Sequence, residues 1–165
     1  MANETSDFVE KFLLKASDFS NSPTPDCGSY IAVHCRYISP TSKYFISESF
    51  RNTNEKQFVK LISFLSNTFP DIQILILTDK MGQDYFKLIS DRYSLKCVFP
   101  SNKNKNYFSD AKLVANAKFY FQLNGGGLCS AAWFSSVDYL IFVKAVANEV
   151  QFSLNNLTSW ATKKQ

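Results

Sequence analysis

Two short stretches hold the residues with the most chemistry to offer. In "YIAVHCRY" a histidine and an arginine stand two apart, His34 and Arg36, and in "LNGGGLCS" three glycines follow one another, Gly125, Gly126 and Gly127. An arginine can fork onto two phosphate oxygens, a charge-assisted contact worth about 1.5–3 kcal/mol. Glycines at the start of a helix leave backbone N–H groups bare, and such an end attracts anions by roughly 0.3–1 kcal/mol. Facing each other, the two groups would seat a diphosphate where a Cβ would block it. Each also has a plainer reading. A glycine cluster after a strand makes a tight turn, and a His and an Arg at a sheet end cap neighbouring carbonyls.

The remaining candidates are polar residues at element ends. Asp79, in "LTDK", reads first as a cap for the helix that follows, with Thr78 beside it. Ser109 is a natural N-cap for a short helix, and Asp110 follows it; contact with a sugar or ribose is the less economical reading. Ser130 lies just past the glycines. No Ser/His/Asp triad is evident, and no paired carboxylates stand at catalytic spacing. A GxGxxG motif after the first strand is absent, which argues against NAD or FAD.

Positioning these residues falls to an alternation of strands and helices. A helical stripe near residues 6–19 and a proline-rich linker over 21–28 precede the first strand, residues 30–36. Asn52 and Glu55 stand at capping-box spacing before apolar positions 58, 61, 62 and 65, which predicts an amphipathic helix ending before Pro70. "IQILILT" reads as a strand buried on both faces. A helix over 83–92, a strand "LKCVF", a short helix near 109–116, a strand "AKFYFQL", a helix over about 128–134 and a strand "DYLIFV" complete the series. Five alternations predict an α/β fold: a single three-layer domain with a five-stranded parallel sheet in order 3-2-1-4-5. In that order the first and fourth strands are neighbours, and a crevice opens at their carboxyl ends, where ligands of doubly wound folds bind. The domain spans 29–147, preceded by a helix and linker over 1–28 and followed by a tail over 148–165 that packs on it.

Composition narrows the partners. At 165 residues, with 45% hydrophobic and 16% aromatic residues, the chain can bury a core of its own. A net charge of +4 suits an anionic ligand, without the dense basic clusters of a nucleic-acid binder. Four scattered cysteines and one histidine make a zinc site improbable and fit reduced thiols, so a cytoplasmic location is expected. No apolar run approaches a membrane span.

Together "YIAVHCRY", "ILILTD" and "SDAKLVANAKFYFQLNGGGLCSAAWFSS" resemble the C-terminal, nucleotide-sugar-binding half of GT-B glycosyltransferases, in particular the fucosyltransferase superfamily with its α1,6-, α1,2- and protein O-fucosyltransferases. There a VHxR motif ends the first strand of a Rossmann-like domain and a TD ends the second. The resemblance covers about residues 29–143. It implies that Arg36 engages the donor diphosphate with His34 as its partner, that Asp79 closes the second strand, and that Asp110 lies by the nucleoside. It also implies that Gly125, Gly126, Gly127 and Ser130 hold phosphate. Tyr37 stands where the family often has a second arginine, and glycines replace a serine-rich turn. The implied donor is a GDP-type sugar used as substrate, with no metal and no other cofactor. The acceptor-binding half would come from a partner chain or a second copy.

Two functions of different class fit these residues. One is a fucosyltransferase-like glycosyltransferase domain that binds a nucleotide-diphosphate sugar. The other is a non-catalytic interaction or regulatory module of the same fold, docking through an apolar face that includes Trp133 or Trp160.

Overall fold

The computed structural model describes residues 29–100, 107–123, 128–133 and 135–142. Within them, strand β1 (Tyr30–His34) leads through a short helix α1 (Phe45–Glu48) and a 3-10 turn (Ser49–Arg51) into helix α2 (Glu55–Thr68). Strand β2 (Gln73–Leu77) and helix α3 (Lys80–Arg92) follow, then helix α4 (Tyr107–Ala115), strand β3 (Phe119–Leu123), helix α5 (Cys129–Trp133) and strand β4 (Asp138–Phe142). The four strands are parallel and lie in the order β2-β1-β3-β4. No helix among the described residues is long and apolar enough to cross a membrane.

Alternation of side chains sorts the core into two layers. Ile31, Val33, Ile74 and Ile76 face α2 and α3, where Phe58, Ile62, Leu65, Phe86 and Ile89 meet them. Phe58 and Phe86 are in ring contact at 4.7 Å between centroids. Tyr30, Ala32, Leu75, Leu77 and Tyr120 face the other way, against Ala111 and Val114 of α4 and Ala131 and Ala132 of α5. Helices thus cover both faces, and the chain turns to opposite sides from the two central strands, β1 and β3.

The expected five strands in order 3-2-1-4-5 are corrected: among the described residues the sheet has four strands, and the expected third is not one of them. Of "LKCVF", only Val98 pairs, bridging Leu75 at the outer edge of β2. Val98 N–H donates to Ile74 O and its carbonyl accepts from Ile76, each at 2.8 Å. With Val98 facing β2, the next residue that would have to donate toward it is Pro100, two positions on. Pro100 has no N–H to give. The buried Gln83 of α3 fixes this edge by donating to Pro100 O at 2.8 Å.

Other boundaries also move. β1 ends at His34, so Arg36 lies two residues beyond the strand rather than on it. The cap of α2 is Asn54, whose side chain accepts from Lys56 N–H, and not Asn52. Ser109 lies inside α4, which already begins at Tyr107. The helix and linker expected over 1–28, the tail over 148–165 and the glycines at 125–127 lie outside the described residues.

Candidate functional site

The carboxyl ends of β1, β2 and β3 come together around His34. Its register partners are Leu77 on one side and Gln122 on the other. One further ladder bond, Cys35 N–H to Leu77 O at 3.0 Å, carries the pairing past β1's last residue. The chain then leaves the sheet, and side chains from the start of α2 take over the bonding. Arg36 N–H donates to Thr53 Oγ1 at 3.0 Å, while Thr53 N–H donates to Arg36 O at 2.8 Å. Two residues on, the Asn52 carboxamide spans Ile38, accepting from its N–H at 2.8 Å and donating to its carbonyl at 3.0 Å. The backbone on both sides of the guanidinium's root is therefore fixed. Arg36 Nε and His34 Nδ1 are shielded from solvent.

Tyr37 follows, stacked on Tyr85 of α3 with ring centroids 3.9 Å apart and planes 5° from parallel. The stack ties the exit of β1 to α3 where the resemblance leads one to expect a second arginine.

Across the central gap the end of β3 is polar and buried. Gln122 is 1% exposed and its Oε1 accepts from the Tyr120 hydroxyl at 2.6 Å. Burial holds the Tyr120 phenol well above its usual range, with Cys129, Cys35, Tyr107 and Asp110 pushing the same way. Tyr120 therefore keeps its proton at neutral pH. Asp110, in the first turn of α4, is thus an electrostatic neighbour of this pair. Ser130 of α5 shares a hydrogen bond with Tyr107 of α4 at 2.5 Å, which ties the two helices together over the same end of β3. Segment 124–127, with its three glycines, joins β3 to α5 by covalent necessity.

The cysteines near this end are not primed as nucleophiles. Burial pushes the Cys35 thiol up strongly, and Cys97 adds to the effect. Cys129 is pushed up by burial, against hydrogen bonds from the Ser130 and Cys129 backbone.

Of the residues singled out in the sequence, the structure gathers His34 and Arg36 at the exit of β1, beside β3, with Asp110 and Ser130 on the helices that cover β3. Asp79 stands apart in role. Its carboxylate accepts from Gly82 N–H at 2.7 Å and caps α3. That first turn has no room for a side chain at position 82, because a Cβ there would collide with Thr78 Oγ1. Sequence reasoning missed Gln122 and the Asn52–Thr53 clamp. A signal for the first was present: a glutamine in an otherwise apolar strand, at a position that faces the core. The clamp had none, since two polar residues before a helix read as ordinary capping.

No family model matches the chain, and no curated protein matches it. Solved structures do. The E. coli heptosyltransferase WaaC with ADP-2-deoxy-2-fluoro heptose aligns over 91% of this chain and 48% of its own, at TM-score 0.52 and 18% identity. The same enzyme with ADP aligns over 90% and 46%, at TM-score 0.50 and 16% identity. POFUT1 in complex with GDP aligns over 80% and 47%, at TM-score 0.47 and 10% identity. The chain spans about half the length of the heptosyltransferase it matches. The heptosyltransferase likeness is one of fold, and it fits the expected half of a GT-B glycosyltransferase.

Proposed function

We propose that this chain is the nucleotide-sugar-binding half of a glycosyltransferase, with the donor's diphosphate seated between the exits of β1 and β3. The observation that carries the reading is adjacency. Arg36 leaves one central strand, the glycine segment follows the neighbouring one, and the two strands are paired in parallel through His34 and Gln122. Crevices of this kind, where a doubly wound sheet changes direction, are where such folds take ligands. The heptosyltransferase of similar fold holds an ADP-sugar analogue.

In this reading Arg36 forks onto the diphosphate, and amides of the glycine segment complete its coordination. Both would stabilise charge on the leaving diphosphate during transfer, a preorganised electrostatic role that needs no metal. His34 supports Arg36 from the strand end, Asp110 lies toward the nucleoside, and Ser130 lies toward phosphate. Asp79 acts through the fold, by capping α3. A GDP-type donor and fucosyl-like transfer are the finer assignment, and they rest on the HxR and TD residues. The acceptor surface would come from a partner chain, a second copy or sequence beyond these residues, and the free thiols Cys35, Cys97 and Cys129 suit a reducing cytoplasm.

Thermal shift with GDP, ADP, UDP and CDP tests the reading. A ligand at 100 times its Kd adds about 2.7 kcal/mol, roughly 5–10 °C for a domain of this size. Arg36→Ala is expected to abolish that shift while leaving the free protein folded. An undiminished shift in the variant removes Arg36 from the site.

A second reading, the non-catalytic module, is favoured by the outer strand β4. Its Tyr139, Leu140 and Phe142 are 40%, 45% and 45% exposed. Absence of a shift with all four nucleotides would select it.

A further inference from the structure

We propose that Tyr107 and Phe108, in the first turn of α4, form an aromatic corner that receives the nucleobase of the donor, one ring stacking on the base and the other meeting its edge. The proposal rests on the nucleotide-sugar reading for the identity of the ligand, and it adds a subsite built from described residues alone.

Topology fixes where the corner stands. The last turn of α4 lies at the amino end of the sheet, where the Tyr30 hydroxyl donates to Leu113 O and Lys118 N–H donates to Tyr30 O. β3 begins at the next residue, Phe119. The nine residues of α4 span about 13 Å, nearly the length of β3, so its first turn lies toward the strand's carboxyl end. A hydrogen bond agrees with that placement. Tyr107 Oη and Ser130 Oγ are 2.5 Å apart, and Ser130 belongs to α5, the helix that follows β3. Cys35 at the exit of β1 and both Tyr107 and Asp110 act on the Tyr120 phenol, so the corner and that exit share an electrostatic neighbour.

The two rings suit a small flat ligand. Their centroids are 5.7 Å apart and their planes 77° from each other, which makes two walls near a right angle. Phe108 is 54% exposed and Tyr107 37%, so both rings present surface to solvent. Tyr107 is held at its rim, through the hydroxyl, and that anchor does not use the faces of the ring. Aromatic rings favour offset stacks and edge-to-face contacts, and a base laid in this corner makes one of each. The neighbouring sequence is polar, "NKNKN" before the pair and Ser109 and Asp110 after it. Apolar surface is thereby confined to the two rings, too small for a protein or lipid partner and matched to a heterocycle.

The test measures, by calorimetry on the full chain, the affinities of GDP, ADP and inorganic pyrophosphate. In Phe108→Ala the nucleotides are expected to bind about five- to a hundredfold more weakly while pyrophosphate affinity holds, the loss of one stacking partner. Phe108→Leu keeps apolar bulk without a flat face and should lose nearly as much, whereas Phe108→Tyr should bind as wild type. Tyr107→Phe, which gives up the anchor to Ser130, should lose a smaller factor. Unchanged nucleotide affinity in Phe108→Ala overturns the proposal. So does an equal loss for pyrophosphate, which marks a ring that only supports the fold. A wild-type protein that binds neither nucleotide fails the underlying reading before any variant is made.

Discussion

The two faces of the sheet are built from different materials. Toward α2 and α3 the strands present branched aliphatics and the rings of Phe119 and Phe121, with no polar group among them, and the helices answer with Phe58, Ile62, Leu65, Phe86 and Ile89, all buried. Toward α4 and α5 the strands present two tyrosines, Tyr30 and Tyr120, beside Ala32, Leu75 and Leu77, and the helices answer with the small residues Ala111, Val114, Ala131 and Ala132. Dispersion and burial dominate the first face; they are strong and non-directional. Small helical residues let hydroxyl groups on the second face reach backbone and amide partners, and those bonds are directional. Every polar group assigned to the site other than the β1 exit is on this second face or its helices. One face holds the sheet together, and the other fixes where polar atoms point.

The largest way to break that division is Phe58→Ala. Phe58 is fully buried between the sheet and Phe86. Truncating such a ring costs about 3–5 kcal/mol, most of a typical domain's stability. The melting temperature should drop by more than roughly 6 °C. Below the new transition, nucleotide affinity should match wild type, because nothing on the polar face has moved. A variant that melts normally but binds weakly would show that the two faces are not separable.

An intermediate effect comes from pH. Cys35 sits between His34 and Arg36 but belongs to the apolar face, where burial raises its thiol well above the ordinary range. An unfolded thiol ionises near pH 8.5, whereas the folded one keeps its proton. Below that pH both states are protonated and no difference arises. Above it the native state binds the extra proton, so stability falls as pH rises, by about 1.4 kcal/mol per unit for this one group. Melting temperature should therefore decline between pH 8.5 and 10, and Cys35→Ala should flatten part of the slope. Equal slopes would mean that Cys35 is ionised or exposed in the folded protein.

The same division explains what could be read in the sequence. Elements whose periodicity comes from the apolar face were legible: α2 with Phe58, Ile62 and Leu65, and β2 with its unbroken branched run. The neighbourhood of β1 and β3 was also legible, since alternation and crossover rules constrain it. Contacts between polar groups far apart in the chain were not. Asn52 has the spacing of a cap, yet it bonds Ile38 across the β1 exit, and Asn54 takes the capping role. Val98 has strand composition, but Pro100, the next residue in phase with it, has no N–H to donate, and the pairing stays a single bridge. Arg36 reads as part of the strand because alternation continues past His34 in sequence, although the ladder ends with the Cys35 N–H bond to Leu77 O. Pattern reports burial; it carries no record of which donor meets which acceptor.

The smallest expected effect probes the polar face at the end remote from the site. The Tyr30 hydroxyl donates to Leu113 O at 2.8 Å. Leu113 lies in the last turn of α4, where a helix leaves its carbonyls without intrahelical donors. A central strand thus caps the C-terminal end of the helix whose first turn carries Asp110. Tyr30→Phe keeps the ring and its packing and removes the hydroxyl's bond to Leu113 O, at a cost of about 0.5–1.5 kcal/mol, or roughly 1–6 °C in melting temperature. Hydrogen exchange should accelerate at the amides of α4 more than at those of α2, because α4 alone loses an anchor. Uniform acceleration across both faces would mean that the hydroxyl contributes to overall stability without anchoring α4, and the contrast between the faces would then rest on packing alone.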